Sequence, residues 1–530
     1  MKIAKKLLTL SIALVLGATS LSMVGCGKKN TGKTNQLRVT FFEGGFGRKW
    51  LENALNDFVA KKKNEGTDVS YVLEGKPDSI TTEVKTYLGS GKNLSDIYMT
   101  QNAEWQGFVT NGNKLASLES VYETEVEKLD GSKVKVKDLL LPEVVKKGYM
   151  RRKAGQGKEQ PWILPWSLLE TSIIYNEDLM KKTPKSTGGF WTETPKTMQE
   201  LAALCNDINA ANASKVYGSE VVPFSWTYGN INYFEYVLNV LWAQQQGVYE
   251  SRINGEGAYY DFWNFESPDV WKQTGIQKAI DEWANIIVDK STGKWKNSFD
   301  ENFVSQKTFM EAALSFCQGK SVLFLGGSFF ENEMGMYGYL DQNNDGKADF
   351  NYKMMYVPLS ADALKNEDGT DSMINYCSVN DMMFVPAEAT NVELAKEFLA
   401  FMCNEKYLLD FTLQTGCLRP FDYDPVELTK NDGNVKWSDF FLSCYDMKKN
   451  ADYNLFNFPM NAAKTDSVSL YYTTYTPVLF QSPGVAQCMR NMRTQTGKQI
   501  MVDGVNGDGK GSVYAESKKV WDDWTIALGQ

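Results

Sequence analysis

The sequence predicts an α/β protein of two or more lobes, each a helix-covered sheet, with extended segments crossing between them. Three observations carry this. Behind a short leader the chain alternates strand, helix, strand, helix, strand, the order of a parallel sheet covered by helices. Its 530 residues exceed what one hydrophobic core holds. Residues 161–179 (PWILPWSLLETSIIYNEDL) form a long aromatic segment suited to pass between lobes while lining the gap. Pro161 and Pro165 fix φ and hold the residues before them extended. The run Ser172, Ile173, Ile174, Tyr175 reads as a buried strand, and Asn176-Glu177-Asp178 as a turn or helix entry.

The leader is residues 1–25. Lys2, Lys5 and Lys6 precede an apolar run at 7–16 that is too short to span a bilayer. Met23-Val24-Gly25-Cys26 then reads as a lipoprotein cleavage site, with Cys26 as the new, acylated N-terminus. Residues 26–36 are a lipid-anchored flexible tether, polar and glycine-containing. The expected location is the outer face of a bacterial cell membrane, held by the lipid alone.

The folded body starts near Leu37. Residues 37–42 (LRVTFF) are a strand ending at Glu43-Gly44-Gly45. Trp50/Leu51, Ala54/Leu55 and Phe58/Val59 then make one helical face, with Gly66 as the stop. A strand at 69–73, a helix at 79–88 stopped by Gly89, and a strand at 96–100 complete the βαβαβ pattern. Ligands of such sheets bind beyond the carboxyl ends of the strands, here Glu43 and the loop Gln101-Asn102-Ala103-Glu104-Trp105. Thr197-x-x-Glu200 is a capping box opening a helix through Ile208. Residues 221–242 begin as a strand, break at Trp226-Thr227-Tyr228-Gly229-Asn230, and resume as a helix whose Phe234, Val237, Leu238 and Leu241 read as core. Ser267-Pro268 starts a further helix. A helix from Phe309 stops at Gly319, before a strand at 320–325 that is closed by Gly326-Gly327-Ser328-Phe329. Strands are expected at 354–358 and 379–386, and a capping box at Thr390-x-x-Glu393. A largely helical tail follows Arg419-Pro420.

Composition excludes whole classes of chemistry. There is no histidine, hence no Ser-His-Asp or Cys-His catalysis and no histidine metal site. The net charge of −9 argues against nucleic acid as a partner. Apart from Cys26, the cysteines 205, 317, 377, 403, 417, 444 and 488 are scattered and odd in number, so buried free thiols are expected. Asp341, Asn343, Asp345, Gly346 and Asp349 fit a calcium loop, but Tyr352 stands where a bidentate Glu is wanted. A structural calcium is therefore the candidate cofactor there, against a plain turn.

The lipoprotein signal, the βαβαβ start, ILPWSLLETSIIYNEDL and the helix entry PKTMQEL at 195–201 together resemble family 1 extracellular solute-binding proteins of ABC importers. So do Gly319-Lys320-Ser321-Val322, the segment 378–399 (SVNDMMFVPAEATNVELAKEFL), and Thr415-Gly416 followed by Arg419-Pro420. The chain is longer than a typical member. The resemblance implies a two-lobed periplasmic-binding-protein-like fold, with one lobe at 37–166 plus 376–420. The other would be 167–375 plus 421–530, a helical C-terminal extension included, with crossings near 163–168, 375–381 and 416–421. It also implies a carbohydrate ligand held between the lobes, ABC permease subunits as partners, and no enzymatic activity; a monomer is expected.

On that plan Trp166, Trp226, Tyr228, Trp105 and Phe329 are expected to stack on sugar rings, and Glu43, Gln101, Asn102, Asp381 and Arg419 to bond hydroxyls. Two other readings stay open. One is a binding protein for a peptide or an anion. The other is a surface glycoside hydrolase, which needs two carboxylates and no histidine.

Overall fold

The computed structural model describes residues 33–457, except 102–104, 111–112, 147–150, 154–158, 228–232, 254, 265–272, 290, 293, 367 and 380. The leader with Cys26, the candidates Asn102 and Tyr228, the helix start at Ser267-Pro268, Cys488 and the tail beyond 457 lie outside the described residues.

The strands that build the two main sheets are, in chain order, β1 (Gln36–Phe42), β2 (Ser70–Lys76), β3 (Ile97–Gln101), β4 (Leu164–Pro165), β5 (Leu169–Asn176), β6 (Val222–Ser225), β7 (Ser321–Gly327), β8 (Tyr352–Met355), β9 (Ile374–Ser378), β10 (Asp381–Phe384) and β11 (Tyr453–Asn457). The first sheet has the order β2-β1-β3-β10-β4. Here β1 is parallel to β2 and β3, while β10 runs antiparallel to β3 and β4. The second sheet has the order β6-β7-β5-β9-β11, with β8 also paired to β5. Its centre, β5, runs antiparallel to β7, β8 and β9.

Helix cover explains the apolar strands. Leu37, Val39 and Phe41 of β1 are fully buried, and the helix Lys49–Asn64 contributes Trp50, Leu51, Ala54, Leu55 and Phe58 to the same core. Lysines close its last turn, favourable against the helix dipole, and Gly66 follows at φ 82°. The next helix is Thr81–Ser90 and stops at Gly91 (φ 67°), not at Gly89. The Thr197 hydroxyl caps its helix from Glu200 N at 3.1 Å, and Glu200 reaches back to Lys196 N at 2.6 Å. The box expected at Thr390 does not form. The helix Val392–Phe401 starts at Asn391 with no side-chain cap. Asn391 is committed elsewhere: its Oδ1 accepts from Asn35 N (3.0 Å), its Nδ2 donates to Gln36 O (3.0 Å), and its N–H donates to Asp96 (2.9 Å). A full capping box stands instead at Thr308 and Glu311.

The chain passes between the sheets at 166–168, where Trp166 N donates to Asp381 O (3.1 Å) and Leu168 N to Leu418 O (2.8 Å). It returns between β9 and β10. Since β9 lies in the second sheet through Ser378, the return falls after Ser378 and not at 376. After the helix Glu405–Thr415 ends at Gly416 (φ 68°), Leu418 bridges to Leu168 and Phe421 to Leu140. The helix Asp439–Asn450 then packs on β8, with Ser443 Oγ accepting from Met354 N at 2.9 Å. Six of the predicted thiols, Cys205, Cys317, Cys377, Cys403, Cys417 and Cys444, are buried and free.

Candidate ligand site between the sheets

The helix Phe234–Gln246 has two aromatic phases. Phe234, Val237 and Leu241 are fully buried in the second lobe. Tyr233, at its N-cap, and Tyr236 lie one turn apart on another face, with rings stacked at 4.8 Å and 27°. The ring of Phe329 stands 6.4 Å from Tyr233 at 72°, and Tyr376 lies 6.1 Å from Tyr236. Tyr233, Tyr236 and Phe329 are half-buried and pack against the edge of the core, leaving part of each residue exposed.

Carboxyl groups converge on this platform. Asp381, at the start of β10, is buried and accepts a hydrogen bond from the Ser167 hydroxyl. Burial pushes its carboxyl up to about 7, and does the same to Glu333. Burial raises Glu235 to about 8. Tyr236 is raised by its own burial and then by Tyr233, Glu235, Asp381 and Glu333. Tyr236 thus lies within electrostatic reach of Asp381 of the first sheet and Glu333 of the second lobe.

The lobes touch beside it. The turn Gly44–Phe46, beyond the carboxyl end of β1, seats on the helix Phe330–Met336. Asn332 Nδ2 donates to Gly45 O at 2.6 Å. A Cβ at Gly45 would lie 2.9 Å from the Glu333 Cβ, so only glycine allows this approach.

Of the residues expected from the sequence, Phe329 and Asp381 are at this site. Gln101 is half-buried at the end of β3, in register with Asp381. Glu43 is held by Arg48 through two hydrogen bonds, 2.6 and 3.0 Å. Trp105 is fully buried. Trp166 is enclosed by Phe46 (4.8 Å), Trp50 (stacked, 5.7 Å) and Phe411 (6.1 Å). Trp226 packs between Phe234 (4.9 Å) and Trp295 (4.6 Å). Arg419 is buried, donates to Met402 O at 2.6 Å and lies 5.0 Å over Phe421. In this conformation Trp105, Trp166, Trp226 and Arg419 present almost no surface to a ligand. Sequence reasoning missed Tyr233, Glu235, Tyr236 and Glu333. The signal for the tyrosines was there: at 233 and 236 they keep helical spacing, out of phase with the apolar positions 234, 237 and 241.

The Asp341–Asp349 loop is closed by its own hydrogen bonds. Asp341 accepts from Asp345 N (2.9 Å) and Gly346 N (2.8 Å), and Asp349 from Gln342 N (2.8 Å). Asn343 Oδ1 also accepts from Asp345 N, and Asp345 accepts from Lys347 N. Tyr352, at the twelfth position, donates to Glu331 at 2.8 Å. Among the described residues no group of three or more His, Cys, Asp or Glu is placed to hold a metal. Chelation is expected to leave the melting temperature unchanged; a fall of several degrees would make this loop a calcium site.

Two helix-covered sheets, crossed repeatedly by the chain, define a two-lobed α/β fold. Residues 45–407 match the model of the bacterial extracellular solute-binding protein family, and the chain belongs to that family. Solved structures share the fold. One comes from work on xylan utilization by Caldanaerobius polysaccharolyticus, with 16% identity, 86% of this chain and 99% of that chain covered, and a TM-score of 0.54. Another is the bacterial solute receptor AcbH, described as exclusively preferring β-D-galactopyranose, with 12% identity, coverage of 88% and 99%, and a TM-score of 0.56. A third is the cyclic α-maltosyl-1,6-maltose binding protein of Arthrobacter globiformis, with 14% identity, coverage of 94% and 99%, and a TM-score of 0.51. No curated protein matches the chain. Among the described residues no helix is long and apolar enough to cross a membrane.

Proposed function

We propose that this protein captures a sugar or oligosaccharide between its lobes and delivers it to an ABC permease, tethered outside the cell by lipid on Cys26. The observation that carries the reading is the half-buried Tyr233–Tyr236 stack beside Phe329. Aromatic faces suit the C–H faces of pyranose rings, and carboxyls suit hydroxyls. The ionisable groups acting on Tyr236 are acids and a second phenol, which disfavours an anionic ligand. The sugar ligands named for proteins of the same fold agree with this. Capture needs no bond chemistry. Ligand contacts made to both lobes stabilise the closed form, and the affinity seen is reduced by the cost of closing.

A thermal-shift screen of the lipid-free mature chain against an oligosaccharide panel tests this. A ligand at 100 times its Kd adds roughly 2.7 kcal/mol, read as a melting temperature raised by a few degrees. A shift with one glycan class, recovered intact, supports capture. Shortened glycan would turn the reading to a glycoside hydrolase, for which carboxyls raised to near neutrality are suited. No shift with any sugar would send the search to peptides.

A further inference from the structure

We infer that Glu333 reads the ligand at the junction of the lobes, accepting a hydrogen bond from a hydroxyl of the bound sugar and coupling occupancy to the seating of the Gly44–Phe46 turn. The inference rests on the sugar-binding reading above and names a residue for it. Three observations lead here. The Oε2 of Glu333 is buried and has no hydrogen-bond partner among the described residues, a state that disfavours closure unless something donates to it. The side chain sits one helical turn after Phe329, whose carbonyl accepts from Glu333 N at 3.0 Å, and the Phe329 ring faces Tyr233. The lid is the other lobe: Gly45 covers the Glu333 Cβ, and Asn332 holds the Gly45 carbonyl.

Parting the lobes uncovers Glu333 to water. Closing them empty strands its oxygen. Closing them on a sugar hydroxyl satisfies it, so the ligand has a differential interaction with the closed state.

Among the described residues, the groups facing Glu333 give it no cation. Tyr233 and Tyr236 come from the facing helix. Glu43, just before the turn, is engaged by Arg48. Glu331 of its own helix is engaged by Tyr352 and Ser438. Burial alone raises the Glu333 carboxyl to about 7. A hydroxyl donor favours the ionised form, so binding tightens as pH rises through 7 and releases a proton below it.

The test is calorimetric titration of the mature wild-type chain and Glu333→Gln with the glycan that shifts most in the panel, at pH 6 and pH 8. Wild-type Kd is expected to be about tenfold weaker at pH 6, where about a tenth of the carboxyl is ionised. Glu333→Gln keeps the shape of the side chain and is expected to bind about tenfold more weakly at pH 8. It is also expected to lose most of the pH slope, although Asp381 and Glu235 remain. A variant that folds and keeps both the wild-type Kd and the wild-type slope overturns the inference and leaves the sugar site standing. A wild-type chain that binds no glycan of the panel overturns both.

Discussion

Raising the pH from 5 to 8 is expected to lower the melting temperature of the ligand-free protein by several degrees. Burial lifts the carboxyls of Glu170, Glu333 and Asp381 to about 7, and that of Glu235 to about 8. In the unfolded chain these groups titrate near 4. Between these limits the folded protein holds protons that the unfolded chain has released. Stability therefore falls as pH rises through this window, and is fully present only below the unfolded values. Other carboxyls shift the opposite way, Asp57, Glu65, Asp130, Glu311, Asp368 and Asp424 among them, and act over a lower pH range. Glu123, hydrogen-bonded by Lys135 and Lys137, and Asp289, hydrogen-bonded by the Ser291 hydroxyl, are drawn down to about 2. Glu123 is exposed and Asp289 half-buried, and what they contribute is lost only as pH falls below the ordinary carboxylate range. Glu170 shows why the buried set resists ionisation: it is 1% exposed, and its Oε1 has no partner among the described residues. Thermal melts in one buffer series decide the matter. A melting temperature that is flat or rises from pH 5 to pH 8 would mean that these acids are solvated or paired in solution.

Trp166→Ala is expected to cost about 3–5 kcal/mol of stability, the range for deleting a large buried aromatic. The indole is fully enclosed by Phe46, Trp50 and Phe411. Stacking and edge contacts of this kind add to the lost burial. Tyr236→Ala makes the contrast. Tyr236 is only half-buried, so the variant is expected to melt closer to wild type and, on the sugar-binding reading, to lose the ligand-induced shift. The pair distinguishes a supporting aromatic from a stacking one. If Trp166→Ala melts like wild type and loses only the ligand, Trp166 is the sugar platform and the lobes open more widely around it than they do here.

Periodicity made the scaffold legible. The alternation of Leu37, Val39 and Phe41, the helical face from Trp50 to Phe58, and the prolines bracketing 161–165 all report on local packing. They led to β1, its covering helix and the first crossing. The site was harder, because its character arises between lobes. Trp166 and Trp226 stand where ligand-binding aromatics are expected, yet each is consumed by its own core. Glu235 and Glu333 lie on unremarkable helices, and they become buried only because segments remote in sequence pack against them. The cap expected at Thr390 shows the same limit in miniature. Thr390 and Glu393 carried the right local motif, but Asn391 serves the start of β1 and Asp96, a demand no local window contains.

The placement of β10 constrains the order in which the molecule can be assembled. It lies between β3 and β4, inside the first sheet, and Asp381 follows Ser167 by 214 residues. A nascent chain that has emerged only as far as the first crossing holds β1, β2 and β3 with one flank of β3 still lacking its neighbour. The first core cannot close until almost the entire second lobe has been synthesised. Pairing at such separation is slow. The early part of the chain therefore stays open through most of its synthesis, the condition in which a polypeptide can still be threaded through a narrow channel.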